Sequence, residues 1–407
     1  MNIKKTYFWN ALGNLSISFL YFFLLIIVVR NSGLEVGGIF NFGVSLAVIF
    51  YSMSQYGGRT FQVTNVEKNL GEWDFINSRY LLSFVSIIIF SFFLIVRNYD
   101  FDKSLILLML VSAKIFESFS DVFHGFLQQR NLLDLAGKSN FARAVITFIT
   151  FYTINLIFNN ILISCLLLVV INALFSIIDF LLIKDLIKKE NIIIISNVSL
   201  YLKKAFSTFI LTILILIVFN IPRFVIDLLS SDQNQAIYGI LIMPASLMTI
   251  LAHLIIQPYV VKISLLLKEY GNEKKVYKLL FTFIKVSILI SIILIIGTIL
   301  FGVDLLSYIY DYNISIYTKQ IILVILGSLF YLVTIFISTI LVIIRKSLYQ
   351  IYIQLITLII GIIMTIYLVG SYGIYGAIDS YFFLTIVQLI LYIFLYSYFV
   401  NGRRYNG

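Results

Sequence analysis

The sequence predicts an all-α polytopic membrane protein of about 12 transmembrane helices, with both termini cytoplasmic. Three observations predict it. The 407-residue chain is 61% hydrophobic and 12% charged, whereas a soluble domain carries about 25% charged residues. Its apolar runs are long and continuous, without two-residue alternation. Inside a bilayer every backbone polar group must be satisfied within the structure, and runs of this kind do that as helices rather than barrel strands. Finally, no stretch between the runs is large enough to hold a soluble domain.

The chain opens Met1-Asn2-Ile3-Lys4-Lys5 and is apolar to Val29. The two lysines resemble the start of a signal peptide, but the run exceeds the roughly 7–15 residues of a signal core and no cleavage site follows. It is therefore read as an uncleaved first span, Phe8–Val29. Predicted spans Gly37–Gln55, Ser78–Val96, Leu105–Phe126, Phe141–Phe158 and Ile161–Ile183 follow in the first half. Ala205–Leu229, Ala236–Val261, Leu279–Phe301, Thr318–Ile344, Leu348–Val369 and Ile374–Val400 make up the second. Each has the roughly 20 residues that cross about 30 Å of hydrocarbon. The Lys-rich stretch Lys184–Lys204 separates two six-helix lobes, 1–190 and 191–407. Glu35–Gly43 and Asn234–Ile240 each lead into a small-residue helix start, which suggests parallel repeats of the kind found in transporters. The outer loops are short, Gly302–Tyr317 being the longest, and leave no room for the outer domain that a glycan polymerase uses.

Orientation follows from the basic residues. With both termini inside, all 29 lysines and arginines fall on the cytoplasmic side except Arg30, Arg97, Lys103 and Lys319 outside and Lys114 and Arg223 within the membrane. The net charge of +10 is thereby accounted for, and nucleic-acid binding is not needed to explain it. The single cysteine, Cys165, allows no disulfide within the chain and is read as packing.

The informative residues are the charges left inside the bilayer, where each costs several kcal/mol unless it faces protein or water. Lys114, Glu117, Asp121 and His124 are spaced 3, 4 and 3, so at about 100° per residue they share an arc of about 80° on one helix face, which Gln128 continues. They form either a structural ladder with a Lys114–Glu117 pair, or the wall of a hydrated cavity in which Lys114 meets an anionic group and Glu117 or Asp121 carries a proton. Span seven holds Pro222, which removes a backbone donor and should kink the helix, then Arg223 and Asp227, four apart and able to pair. Arg223 is either a snorkelling residue or a phosphate ligand, for which a guanidinium's planar fork is suited. Gly57-Gly58-Arg59 breaks the inner end of span two and sets Arg59 at the cytoplasmic mouth, as ligand contact or as anchor. Arg130, Lys138 and Arg143 form a second inner rim with the same two readings. His253 in span eight is polar packing or a cavity contact. Asp179 and Asp379 are read as interfacial. No Gly-x-x-x-x-Gly-Lys-Ser/Thr loop, His-Glu-x-x-His motif or Cys/His cluster occurs, so no catalytic residue, metal site or cofactor is assigned, and energy would come from the membrane potential or an H+ or Na+ gradient.

The chain resembles the Wzx-type polysaccharide flippases of the MOP superfamily, which also holds the multidrug (MATE) exporters and the lipid II flippases. The resemblance covers essentially the whole chain and is carried by Asn10-Ala11-Leu12-Gly13-Asn14, Gly37-Gly38-Ile39-Phe40-Asn41, Gly57-Gly58-Arg59-Thr60-Phe61-Gln62-Val63 and Asp121-Val122-Phe123-His124-Gly125-Phe126-Leu127-Gln128-Gln129. Further carriers are Asp134-Leu135-Ala136-Gly137-Lys138-Ser139, Pro222–Asp227 and Tyr238–Ala245. It implies two six-helix lobes in a V around a central cavity, in the bacterial cytoplasmic membrane. It also implies a cargo of undecaprenyl-pyrophosphate-linked oligosaccharide moved from the inner to the outer leaflet. Lys114 and Arg223 would meet the pyrophosphate from opposite lobes, and Arg59 would receive the cargo from inside. The expected partners are the lipid-linked oligosaccharide, membrane lipids, and a glycan polymerase and glycosyltransferases, with the protein itself a monomer. Lipid II flippases carry two further helices that this chain lacks. The alternative class is an exporter of small amphipathic compounds or of another lipid.

Overall fold

The computed structural model describes residues 3–63, 71–187, 195–268 and 273–401. Among the described residues all regular structure is helical. The chain forms two compact units, Met1–Ile213 and Leu214–Gly407.

Unit 1 begins with α1, Ile3–Gln55, a helical run of 53 residues interrupted at Gly33 (φ 84°, ψ 173°). A straight helix of this length would span about 80 Å, more than twice the hydrocarbon thickness. It reverses instead. A Cβ on Gly37 would lie 2.5 Å from the Val29 side chain, whereas a straight helix would separate these positions by about 12 Å. The predicted spans Phe8–Val29 and Gly37–Gln55 are thus two passages joined without a loop, because glycine alone adopts this φ without strain. α2 (Gly58–Val63), α3 (Glu72–Arg97), α4 (Phe101–Gln129), α5 (Leu133–Phe158) and α6 (Ile161–Ile183) follow. Asparagines end and start these helices. Asn98 and Asn159 take the left-handed conformation after α3 and α5, and the Asn160 side chain accepts from the Leu162 and Ile163 N–H groups to cap α6, as expected for this residue type.

Apolar side chains face outward from unit 1. On α3 Phe84, Ile88, Phe92 and Ile95 are exposed, and on α6 Leu166, Leu174, Ile177 and Leu181, while Ser83, Ser86, Asn172 and Asp179 are buried. A surface of this kind is stable against lipid. α4 lies at the centre, packed on α1, α2, α3, α5 and α6. α1 and α5 touch backbone to backbone, since a Cβ on Gly13 would fall 2.2 Å from the Gly137 carbonyl oxygen. Small residues permit such close helix crossings in membranes. Cys165 is fully buried in this packing.

α7 (Ile195–Leu229) runs through Pro222 as helix, and its second half opens unit 2. Two expectations need correction there. The predicted span Ala236–Val261 is two helices, α8 (Asp232–Leu241) and α9 (Met243–Lys268); Pro244 follows the break, where its missing N–H is tolerated in a first helical turn. The predicted outer loop Gly302–Tyr317 is largely helical, because α10 (Glu273–Gly297) continues through a π turn, Thr298–Gly302, into α11 (Val303–Tyr310). α12 (Thr318–Ile343), α13 (Ser347–Tyr372) and α14 (Ile374–Asn401) complete the unit. Buried amides bind these three together. Gln354 donates to the Tyr392 hydroxyl (3.0 Å) and Gln388 to Gln354 (3.0 Å), while Gln350 accepts from Tyr392 (3.2 Å) and from Ser338 (2.6 Å).

Among the described residues nine helical runs are long and apolar enough to cross a membrane. α1 supplies two passages. α4 is as long but more highly charged, and the α8–α9 pair is as long, which brings the layout to the expected count of about 12. The protein is a multi-pass membrane protein.

Candidate functional site

Glycines and a tyrosine with positive φ shape the end of α1. Tyr56 (φ 50°) and Gly57 (φ 69°) end α1 in the left-handed region, and α2 turns back across α4. Gln62 donates to the Val122 carbonyl (3.0 Å), and Gln129 donates to the Gln62 carbonyl (2.7 Å). The fit requires Gly125, since a Cβ there would lie 2.2 Å from the Gln62 amide oxygen. Gly125→Ala is expected to cost about 1 kcal/mol, the scale of one intramolecular hydrogen bond, because the flexible Gln62 must swing away. A fall in melting temperature in detergent, absent when Gln62→Ala is already present, would check this.

The crossing delivers Arg59 to the charged face of α4. Its Nη1 donates to Asp121 Oδ1 at 2.9 Å, and Nε and Nη2 both reach Gln128 Oε1, at 3.1 and 3.0 Å. Arg79, 3% exposed, approaches the other Asp121 oxygen at 3.5 Å from α3. One turn toward the N-terminus of α4, Lys114 holds Glu117 at 2.8 Å, with its ammonium 4.4 Å from the Tyr21 ring centre and 5.6 Å from that of Tyr51. Toward the C-terminus, His124 Nε2 lies 3.1 Å from Asp179 Oδ2, close but off the hydrogen-bond angle. Ser139 of α5 donates to the other Asp179 oxygen at 2.6 Å. Asp179 is therefore not interfacial: it is fully buried and ties α6 to α4 and α5. A carboxylate at that depth is tolerated because basic and hydroxyl donors surround it.

These groups border a cavity of about 240 Å³ lined by Asn10, Asn14, Tyr51, Arg59, Glu117, Asp121, His124, Asn140 and Arg143 among others. The predicted residues Arg59, Glu117, Asp121 and His124 thus converge on one space inside unit 1, and Lys114 stands behind Glu117. The cluster holds four basic side chains, Arg59, Arg79, Lys114 and Arg143, against the carboxylates Glu117, Asp121 and Asp179, so it carries surplus positive charge. The sequence reading counted Arg79 among the cytoplasmic basic residues, left Arg143 as ligand contact or anchor, and assigned no site role to Asn10, Asn14 and Asn140. The four-residue spacing of Asn10 and Asn14 on one helix face was the available signal.

The remaining candidates belong to unit 2. Arg223 Nη1 donates to Asn220 (2.7 Å), its guanidinium lies 5.5 Å from the centre of the buried Tyr238 ring, and Gln235 donates to its carbonyl. Asp227 is half-buried one turn further along α7. The side chain of His253 lies outside the described residues. At the rim of unit 1, Arg130 pairs with Glu72 and accepts no role in the cavity, and Lys138 pairs with Asp134 at 3.1 Å.

No family model matches the chain. Over 97% of its length, and 99% of the relative's, it is 27% identical to a capsular polysaccharide biosynthesis protein, CapF, of Staphylococcus aureus. Its fold is similar to that of the lipid II flippase MurJ in an inward closed conformation, with a TM-score of 0.72, 17% identity, and 95% of this chain and 87% of that one covered. It is also similar to an inward-facing multidrug resistance MATE family transporter of the MOP superfamily (TM-score 0.66, 13% identity, 96% of each chain). The eukaryotic MATE transporter AtDTX14 gives a TM-score of 0.67 at 14% identity, over 96% of this chain and 94% of that one. The resemblance read from the sequence is borne out along the whole chain.

Proposed function

We propose, for a chain with the MOP-superfamily fold and a polysaccharide-biosynthesis relative along its full length, that it flips an undecaprenyl-pyrophosphate-linked oligosaccharide from the inner to the outer leaflet by alternating access. The product would feed surface polysaccharide assembly, between the glycosyltransferases that build the unit and the polymerase that consumes it. The observation that carries this reading is the paired charge around the unit 1 cavity. Lys114 and Arg59 each already hold an anion, Glu117 and Asp121. A pyrophosphate that replaces a carboxylate on such a cation adds no desolvation cost for the cation, which is buried already, so the cost falls on the pyrophosphate alone. The displaced Glu117 or Asp121 then has to be neutralised by H+ or Na+, which is the coupling step. Within unit 2, Arg223, its guanidinium held by a neutral amide, is the corresponding candidate cation.

Deleting the gene and analysing membrane lipids by mass spectrometry tests the proposal. Accumulation of the lipid-linked oligosaccharide with loss of surface glycan is expected. Unchanged lipid-linked sugars and intact glycan would move the function to export of small amphipathic compounds. Within the protein, Lys114→Ala is expected to abolish export and to destabilise unit 1 by about 3–5 kcal/mol through the stranded Glu117. The double substitution Lys114→Ala/Glu117→Ala is expected to regain most of that stability without regaining export. Normal glycan export at normal protein levels in both Lys114→Ala and Arg223→Ala would overturn the assignment of these cations.

A further inference from the structure

We propose that Arg79 is the standing counter-ion of Asp121, a positioning residue that keeps this carboxylate charged when Arg59 leaves it, so that Glu117 is the carboxylate that takes up the coupling ion. The coupling role of Glu117 rests on the flippase reading above; the pairing of Arg79 does not. Asp121 has a cation near each oxygen. Arg59 Nη1 lies 2.9 Å from Oδ1, and Arg79 Nη2 lies 3.5 Å from Oδ2. The two arginines differ in freedom. Arg59 is 30% exposed, lines the cavity and stands on α2, a six-residue helix that follows the left-handed Tyr56 and Gly57. Its other hydrogen bonds go to neutral oxygens, the Gln128 amide and the Asp121 carbonyl. Arg79 is 3% exposed on the 26-residue α3. It is packed against the start of α2, where a Cβ on Gly58 would fall 3.2 Å from its Nη2 and 2.7 Å from the Tyr201 hydroxyl.

A long side chain at the cavity wall can swing away, whereas an enclosed guanidinium stays. Once Arg59 has left, an approach of about 0.7 Å brings Arg79 to the length of a charge-assisted hydrogen bond, and the carboxylate is not stranded in a low-dielectric interior. No other neighbour of Asp121 takes this place. Tyr51 of α1, Glu117 and His124 of α4 and Tyr201 of α7 surround it, while His124 faces Asp179 of α6 and Arg143 of α5 acts on Glu117 and Asp179. Glu117 has no such second cation beside it. Among the described residues only Lys114 lies within ion-pair distance of it, and Arg143 acts on it from farther off. An anion that draws Lys114 away therefore leaves Glu117, which borders the cavity, to be neutralised by an ion from that side.

Infrared spectroscopy of the detergent-purified full chain at neutral pH tests this through the C=O band of a protonated carboxyl group. The band is assigned to Asp121 or Glu117 by its loss when Asp121→Asn or Glu117→Gln is added. Arg59→Gln is expected to show no band from Asp121, and Arg59→Gln/Arg79→Gln to gain one of a single carboxyl per chain. Arg59→Gln/Arg79→Lys, which restores the charge, is expected to lose it again. Lys114→Gln is expected to gain the Glu117 band without a second substitution. An Asp121 band in Arg59→Gln would overturn the proposal, and this variant decides the matter if those at Arg79 do not fold. No Asp121 band in Arg59→Gln/Arg79→Gln would leave Arg79 a packing role and overturn it equally. No Glu117 band in Lys114→Gln would remove Glu117 as the carrier. No cargo enters the measurement, so its failure leaves the lipid accumulation test of the flippase reading untouched.

Discussion

Asp179→Leu is expected to destabilise unit 1 by about 3–5 kcal/mol, the cost of removing one partner from a buried pair. The carboxylate is fully buried, accepts from Ser139 at 2.6 Å and lies 3.1 Å from His124, so its loss strands groups on two other helices. In a unit of this size the shift corresponds to about 6–20 °C in melting temperature. His124→Leu/Asp179→Leu is expected to recover most of it, because apolar side chains of similar volume are often neutral replacements for a buried pair, and the Ser139 hydroxyl can return to its own helix backbone. Thermal unfolding in detergent, followed by intrinsic fluorescence, measures both. A shift under about 2 °C for the single substitution, less than 1 kcal/mol on the same scale, would show that the pair is not what joins α4, α5 and α6.

Gly137→Ala should also destabilise unit 1, despite adding one carbon. The new Cβ would sit 2.3 Å from the Trp9 carbonyl oxygen, 2.4 Å from its carbon and 2.6 Å from the Asn10 nitrogen. All three atoms are backbone, so no side-chain rotation relieves the clash and α1 must move off α5. Overpacking of this kind costs about 1–3 kcal/mol and occasionally more. The same displacement separates Asn10 and Asn14 from Asn140 and Arg143, which line the cavity from α1 and α5, so a loss of transport beyond the loss of folded protein is expected. Gly370→Ala is the control. Nothing lies within 4 Å of a Cβ there, and the helix propensity of alanine should stabilise the protein by up to about 1 kcal/mol. Equal melting temperatures for Gly137→Ala and Gly370→Ala would refute the close crossing.

The spans were legible because hydropathy over about 20 residues is a local property and lipid leaves the backbone no alternative to helix. Their junctions were less so. The reversal at Gly33 was read as a loop, since a glycine with positive φ has no hydropathy signature, and the π turn at Thr298–Gly302 let α10 run on where a loop was expected. The Lys114–Glu117 pair could be read from its i,i+3 spacing on one helix. The partners of Asp121 and His124 could not, because they come from α2, α3 and α6. The glutamine network of unit 2 went unread for the same reason. Gln350 and Gln354 share a face of α13, but what they bond is supplied by Ser338, Gln388 and Tyr392 from other helices.

The sequence by itself determined that this chain lives in a membrane, that it is helical throughout, and that α4 carries the charge its interior must accommodate. Only the tertiary structure decided which of those charges are matched. A charge in a low-dielectric interior is neutralised by whatever group another helix brings within a few ångströms, and that pairing depends on helix crossings set by Gly13, Gly125 and Gly137 rather than on any spacing along the chain. The same crossings place Arg143, which the sequence left as ligand contact or anchor, beside the unit 1 cavity.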